Sequence, residues 1–258
     1  MNPCHAEGVP RVASAEALAQ AAAGFEVADL DLVTESAALA AAQRSLDDSG
    51  LLLLGEIHGV RENPLLIRAL LLAFGLTSLA LEWPDDLAPP VEGFLATGTL
   101  ADHWLLWSGD GRITAGHLAV LAERAAAGPL QVILFDGITG ADWSWSQRDE
   151  AMASRILASR PAGPGTLVVA GNAHTPTSST SLGVPMGACL ARERPGVREI
   201  RINYGGGSYY NLRSRQFDRN GPQPGQTRLH QDDGALVLDL PAATEAVVSQ
   251  RPWPKRPG

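Results

Sequence analysis

The feature that most constrains the fold is an uninterrupted apolar run, LLLLGE, which occupies Leu51–Glu56 between turn-forming residues. A run that is apolar at every position is typical of a strand buried on both faces of a parallel sheet. A helix start follows, with Asn63 predicted as the N-cap and Pro64 at the first helical position. The next apolar run, TSLALEW, occupies residues 77–83. A helix between two such strands predicts a right-handed crossover.

The same alternation of helix and strand continues along the chain. Helices are predicted at about 114–127 and 147–159, and strands at 130–136 and 166–172. Two alanine-rich helices, at about 14–24 and 34–46, precede the first strand, and Thr34 or Ser36 is the expected cap of the second. This alternation predicts an α/β fold with a mostly parallel central sheet flanked by helices.

The chain changes character after Pro195. Two runs, VREIRINY and ALVLDL, are predicted to be later or edge strands of the same sheet, joined by a long hairpin or flap at about 205–233. We predict one α/β domain over residues 14–250, between a disordered N-terminus at 1–13 and a disordered, proline-rich tail at 251–258.

Composition and charge argue against several classes of protein. A net charge of −8 and a pI near 5.2 argue against a nucleic-acid partner, because such a protein usually needs a basic face. No apolar run reaches the roughly 18–20 residues that a membrane span needs, and no signal peptide is predicted, so a cytoplasmic location is expected. Cys4 and Cys189 form neither a disulfide framework nor a thiolate cluster. The oligomeric state stays open.

Ionisable side chains follow each predicted strand, at the edge where open α/β sheets bind ligands. In chain order they are Glu56, His58, Arg61, Glu62, Glu82, Asp136 and His174. Each has an ordinary structural explanation, such as a loop histidine or a turn former. For Glu82 that explanation is an ion pair with Arg61 or Arg148, because a buried carboxylate needs a partner. Their placement at corresponding ends of successive strands instead predicts one shared site.

Five motifs of the chain resemble one superfamily in order and spacing. They are GEIHGVRENP, LALEWP, RDEAMASRI, VVAGNAHTP and GVPMGACL, and they lie within residues 50–203. The superfamily includes the erythromycin esterases, the ChaN-like haem-uptake proteins and the Tiki/TraB-type metalloproteases. The chain departs from the esterases in having Gly171 where they carry a further His. It departs from ChaN-like proteins in lacking additional His after the first motif.

The resemblance and the residue types together predict a hydrolase that activates water with His58, Glu82 and His174. The favoured form of this mechanism uses a divalent metal, Zn²⁺, Mn²⁺ or Co²⁺, held by Glu56, His58, Glu82 and His174. Two histidines and two glutamates are predicted to converge, and the sequence has no G-x-S-x-G motif that would supply a serine nucleophile. In the metal-free form His58 is the general base, oriented by Glu56 or Glu82. The bond cleaved is an ester, lactone or amide of a small molecule or peptide. The alternative is a ChaN-like haem- or iron-binding protein without turnover.

Further residues are predicted to bind the substrate. Arg148 is expected to hold a substrate carboxylate or stabilise an oxyanion. Its neighbour Asp149 has an ordinary structural explanation, as an acid in the first helical turn that interacts favourably with the helix dipole. Arg61 lies in the loop after the first strand, Trp143 and Trp145 offer an apolar wall, and Tyr209 follows three glycines on the expected flap. The remaining histidines His103, His117 and His230 are expected to be structural.

Overall fold

The computed structural model describes residues 11–107, 109–137, 143–161, 163, 165–218 and 224–248. The predicted disordered tail at 251–258, and all but the last three residues of the predicted disordered N-terminus, lie outside these ranges. Near the two ends of the described chain, the Val12 amide donates to the Val248 carbonyl at 3.3 Å.

Helices and strands alternate through most of the described residues. The α-helices are α1 (Ala15–Ala23), α2 (Ser36–Ser49), α3 (Asn63–Ala73), α4 (Ala88–Thr97), α5 (Ala115–Ala127), α6 (Trp145–Ser159) and α7 (Met186–Glu193). The strands are β1 (Val33–Thr34), β2 (Leu51–Glu56), β3 (Ser78–Pro84), β4 (Gln131–Asp136), β5 (Thr166–Gly171), β6 (Arg198–Tyr204), β7 (Ser208–Asn211), β8 (Arg213–Gln216), β9 (Arg228–Asp232) and β10 (Ala235–Leu240).

Eight of the described strands form the central sheet, in the order β1-β9-β10-β6-β2-β5-β3-β4. Neighbouring strands in it run parallel except β9 and β10, which are antiparallel. The strands β7 and β8 form a separate antiparallel hairpin. The predicted α/β class, the mostly parallel sheet and the later hairpin are therefore confirmed.

Two apolar cores cover the faces of β2. Leu52 and Leu54 belong to the core that includes residues of α3 and α5, whereas Leu51 and Leu53 pack with residues of α6 and α7. All six β2 residues are buried, as the uninterrupted apolar run predicted. Burying a leucine side chain contributes about 1.5–3 kcal/mol, so β2 is firmly held and gives the residues at its end a rigid support.

Two local predictions were wrong. Asn63 does not cap α3 from outside; it is the first helical residue, and its side chain donates to the Ile57 carbonyl at 2.9 Å. The N-cap of α2 is Glu35, without a side-chain capping bond, instead of Thr34 or Ser36. The later strands β6 and β10 belong to the central sheet, as predicted, and both are interior strands, β6 between β10 and β2 and β10 between β9 and β6. No helix among the described residues is long and apolar enough to cross a membrane.

Candidate active site

The candidate site lies at the carboxyl ends of β2, β5 and β3, which are neighbours in the sheet. Glu56, the last residue of β2, is paired in register with Gly171, the last residue of β5. His58 and His174 lie in the loops that follow these two strands, and Glu82 lies near the end of β3. The sheet order thus brings together all four residues that the sequence proposed as a ligand set.

Glu82 is the centre of this site and is only 3% exposed. Its Oε2 accepts a hydrogen bond from the Gly171 amide at 2.7 Å, while its Oε1 lies 3.1 Å from Arg148 Nη2 and 3.3 Å from Arg112 Nη1. Burial by itself raises the pKa of this carboxyl, but Arg112, the two histidines and Arg148 lower it far below its ordinary value. Glu82 is therefore a buried anion whose charge is compensated.

The two histidines approach the Glu82 carboxylate from either side. His58 Nε2 lies 3.8 Å from Oε2, and His174 Nε2 lies 3.7 Å from Oε1. Each ring also contacts a second carboxylate through Nδ1, Glu56 at 3.1 Å for His58 and Asp149 at 2.9 Å for His174. Because an ionised carboxylate only accepts, Nδ1 of each ring must donate. In a neutral ring Nε2 is then the atom with the lone pair.

A layer of arginine side chains supports Glu82. Asp136 accepts from Arg112 Nη1 at 2.6 Å and from Arg148 Nη2 at 2.8 Å, and Asp110 accepts from Arg112 Nε at 2.7 Å. The sequence missed Arg112 because it lies in a loop before α5 and follows no strand. The Arg148 guanidinium is largely engaged by protein carboxylates. Its Nη1 instead faces His174 Nε2, at a distance of 3.4 Å.

The pKa of His58 is shifted by its surroundings. Burial alone lowers its pKa, but the hydrogen bond to Glu56 and the charges of Glu82 and Asp110 outweigh this effect and raise the pKa above 6.5. Behind Glu56 lies His117, whose Nε2 is 3.9 Å from Glu56 Oε2 and whose pKa is lowered, chiefly by burial. A buried, neutral His117 agrees with the structural role expected for it.

A cavity of about 430 Å³ opens onto this cluster. Among the predicted substrate-binding residues, Tyr209 lines it, and Trp145 stacks on His174 with ring centroids 5.3 Å apart. Trp143 is 47% exposed and is not among the lining residues. Arg61 stacks over the Phe25 ring, 5.0 Å from its centroid, and likewise does not line the cavity. Tyr209 and Trp145 are thus the predicted aromatic residues nearest the chemistry.

The four expected metal ligands contact arginine and acidic side chains in place of converging on one point. Among the described residues, no group of three or more His, Cys, Asp or Glu side chains has the arrangement of a metal site. Glu82 Oε1 faces two guanidinium groups, and its Oε2 accepts from the Gly171 amide. The Nδ1–carboxylate contacts of the two histidines do not decide the question, because metal-ligating histidines commonly make them. The Glu82 carboxylate does not fit a divalent ion, since arginine already supplies its counter-charge.

Comparison with known proteins identifies no family by sequence, since no family model and no curated protein matches the chain. Solved structures are similar in fold. A Bacillus cereus protein has a TM-score of 0.53 at 11% identity, covering 90% of this chain and 99% of its own. RRSP, a MARTX toxin effector domain from Vibrio vulnificus CMCP6, has a TM-score of 0.43 at 20% identity, covering 73% and 38%. A structure described as bacterial protein toxins has 0.45 at 20%, covering 71% and 40%.

The chain spans about two fifths of the length of the toxin chains that it matches. At 11% identity, the likeness to the Bacillus cereus protein extends to the fold. It assigns no activity.

Proposed function

We propose that this protein is a metal-independent hydrolase of the superfamily that includes the erythromycin esterases, and that it cleaves an ester, lactone or amide bond. One observation carries the proposal. Two carboxylate–imidazole pairs, Glu56–His58 and Asp149–His174, direct Nε2 toward opposite oxygens of the buried Glu82. A histidine oriented by a carboxylate at Nδ1 is the usual arrangement for general acid–base catalysis.

The reaction proceeds through proton transfers at the two Nε2 atoms. His58 Nε2 removes a proton from water, and the hydroxide oxygen forms a bond to the substrate carbonyl carbon. Arg148 Nη1 donates to the developing oxyanion. His174 Nε2, which lies between Arg148 and Glu82, takes up a proton from solvent and gives it to the leaving oxygen or nitrogen as that bond breaks. Both histidines return to their starting states by proton exchange with solvent.

Hydrolysis is tested with a panel of 4-nitrophenyl esters, lactones and peptides, first with wild type before and after dialysis against EDTA. His58→Ala and His174→Ala are each expected to lower kcat/KM at least about a hundredfold, because each removes an acid or base. His103→Ala, a histidine stacked on Trp104 away from the cavity, is the matched control. Thermal melting checks that the variants fold.

Two outcomes contradict the proposal. If both variants keep wild-type turnover, neither histidine is catalytic; if EDTA abolishes activity and Zn²⁺, Mn²⁺ or Co²⁺ restores it, the reaction depends on metal. A haem titration followed by absorption tests the ChaN-like alternative. Stoichiometric haem binding without turnover of any substrate in the panel establishes that alternative instead.

A further inference from the structure

The β7–β8 hairpin forms one side of the cavity. Tyr209 and Asn211 of β7 line it. Between them Tyr210 is 3% exposed and packs with Ala246 and Val248. Since successive residues of a strand project to opposite faces, one face of the hairpin packs on the protein and the other borders the cavity.

The cavity face of this hairpin carries two arginines. Arg215 is paired directly with Tyr209, and Arg213 with Asn211. Directly opposed residues of an antiparallel pair project to the same face, with Cβ atoms about 5 Å apart. Both arginines are exposed, and within the described residues neither forms an ion pair with a carboxylate. Arg213 and Arg215 are therefore on the face that carries Tyr209 and Asn211, beside the cavity and outside its lining residues. Arg215 Nε contacts the Asn211 carbonyl at 3.5 Å, and the remaining guanidinium donors are available to a ligand.

Backbone contacts fix the hairpin against the loop that carries His58. Gly59 has φ +75° and Gly111 has φ +82°, and a Cβ added at either residue would collide with the Tyr210 carbonyl oxygen, at 1.8 and 2.4 Å respectively. The Tyr210 amide also donates to the Gly59 carbonyl at 3.1 Å. Only glycine permits this close approach at a positive φ. The backbone of the hairpin is consequently held in a fixed relation to the loop that carries the proposed base.

The cavity interior has the opposite charge. Glu56, Glu82 and Asp110 line it, with Arg112 as the cation among its lining residues. An anionic group is disfavoured deep in the cavity and attracted to the hairpin beside it.

We propose that Arg213 and Arg215 form an anion-binding subsite that holds a carboxylate or phosphate group of the substrate. The scissile carbonyl then lies inward, at Glu82. The preferred substrates are esters or amides that carry an anionic group a few bonds from the carbonyl. This catalytic consequence rests on the proposed hydrolase function; the anion binding itself does not.

Anion binding is measured directly by isothermal titration calorimetry with 4-phenylbutyrate, phenyl phosphate and the neutral 4-phenylbutanol. Wild type is expected to bind at least one of the two anions about tenfold or more tightly than the alcohol, and less tightly as salt is raised. The double variant Arg213→Gln/Arg215→Gln loses this preference. Arg192→Gln is the control, because Arg192 is also an exposed arginine but pairs with Glu150 and Glu193. Equal affinity for the alcohol and both anions, or an unchanged preference in the double variant, overturns the subsite.

Kinetics separate the subsite from the hydrolase function. The ratio of kcat/KM for mono-4-nitrophenyl glutarate to that for 4-nitrophenyl valerate is expected to fall about tenfold in the double variant. Hydrolysis of both esters with an unchanged ratio contradicts the subsite and leaves the hydrolase function standing. Arginine-dependent anion binding without hydrolysis of either ester has the reverse meaning: the subsite stands and the hydrolase function fails.

Discussion

Replacing Glu56 by Gln separates the catalytic role of this acid from its structural one. Glu56 is 4% exposed; its Oε1 contacts His58 Nδ1 at 3.1 Å, and within the described residues its buried Oε2 makes no hydrogen bond. Gln has nearly the same shape but cannot stabilise the imidazolium that forms when His58 accepts a proton. We expect Glu56→Gln to lower kcat/KM at least about a hundredfold.

The stability of the Glu56→Gln variant is set by two opposing effects. Weakening a hydrogen bond to a charged group costs about 1.5–3 kcal/mol. Removing a buried charge with one unsatisfied oxygen returns about 1–3 kcal/mol. Because these two ranges overlap, the free energy of unfolding should change by less than about 2 kcal/mol, which moves Tm by no more than about 4–8 °C.

The pH dependence of the same variant gives an independent check. In wild type the pKa of His58 is raised above 6.5, so activity that needs its neutral form falls as the pH drops through that raised value. Removing the Glu56 charge lowers this pKa, and the acid limb of kcat/KM moves to lower pH. A raised pKa stabilises the fold below pH 6.5 and loses this effect as the pH rises through the folded-state value. The variant should therefore lose more stability, relative to wild type, at about pH 6 than at about pH 8.5.

The assay combines turnover and thermal melting across this pH range. Glu62→Gln is the matched control, since Glu62 is an acid near the same loop whose side chain accepts from the Thr244 amide and hydroxyl, at 2.9 and 2.6 Å. Wild-type kcat/KM in Glu56→Gln, or an acid limb that stays in place, refutes the assignment of Glu56 as the group that orients His58. A large loss of Tm together with lost activity contradicts the expectation that the weakened hydrogen bond and the removed buried charge offset each other.

Two further substitutions test the neighbouring contacts. Asp149→Asn removes the charge that His174 Nδ1 contacts at 2.9 Å, and kcat/KM should fall at least about a hundredfold; wild-type kinetics would remove His174 from the mechanism. Gly171→Ala places a methyl group 3.2 Å from His58 Nε2 and 3.4 Å from Glu82 Oε2, so kcat/KM should fall roughly tenfold to a hundredfold while Tm changes little. A Gly171→Ala variant as active as wild type would show that this space is not used in the reaction.

The sequence predicted the parts of the fold that depend on local pattern. Strands β2 and β5 are buried on both faces and therefore appear as continuous apolar runs. The role of Asn63 was missed because it depends on a partner 141 residues away, the hydroxyl of Tyr204 on β6, which donates to Asn63 Oδ1 at 3.0 Å. A local capping pattern contains no information about such a contact.

The candidate site likewise has parts that follow from local sequence pattern and parts that depend on contacts between residues distant in the chain. Residues at strand ends could be grouped in advance, because parallel strands bring their carboxyl ends to one edge. Arg112 could not, since it belongs to a loop that reaches Glu82 only in the folded chain, 30 positions away. The role of Arg148 could not be fixed either. From its sequence position, Arg148 could pair with a substrate anion or with a carboxylate of the protein. In the structure its N–H groups donate to Asp136 and Glu82.

The charges of the assembled cluster bear on the two histidines that line the cavity, His58 and His174. Among the described residues the cluster holds the carboxylates Glu56, Glu82, Asp110, Asp136 and Asp149 and the cations Arg112 and Arg148. With neutral imidazoles the acids exceed the cations, and each proton taken up by His58 or His174 reduces that excess. Protonation of His58 is favourable for this reason, which is what a base needs at the moment it removes a proton from water. The same excess of carboxylates repels an anionic group of the substrate. The two exposed arginines on β8 lie outside the cluster, where the proposed subsite would bind that group.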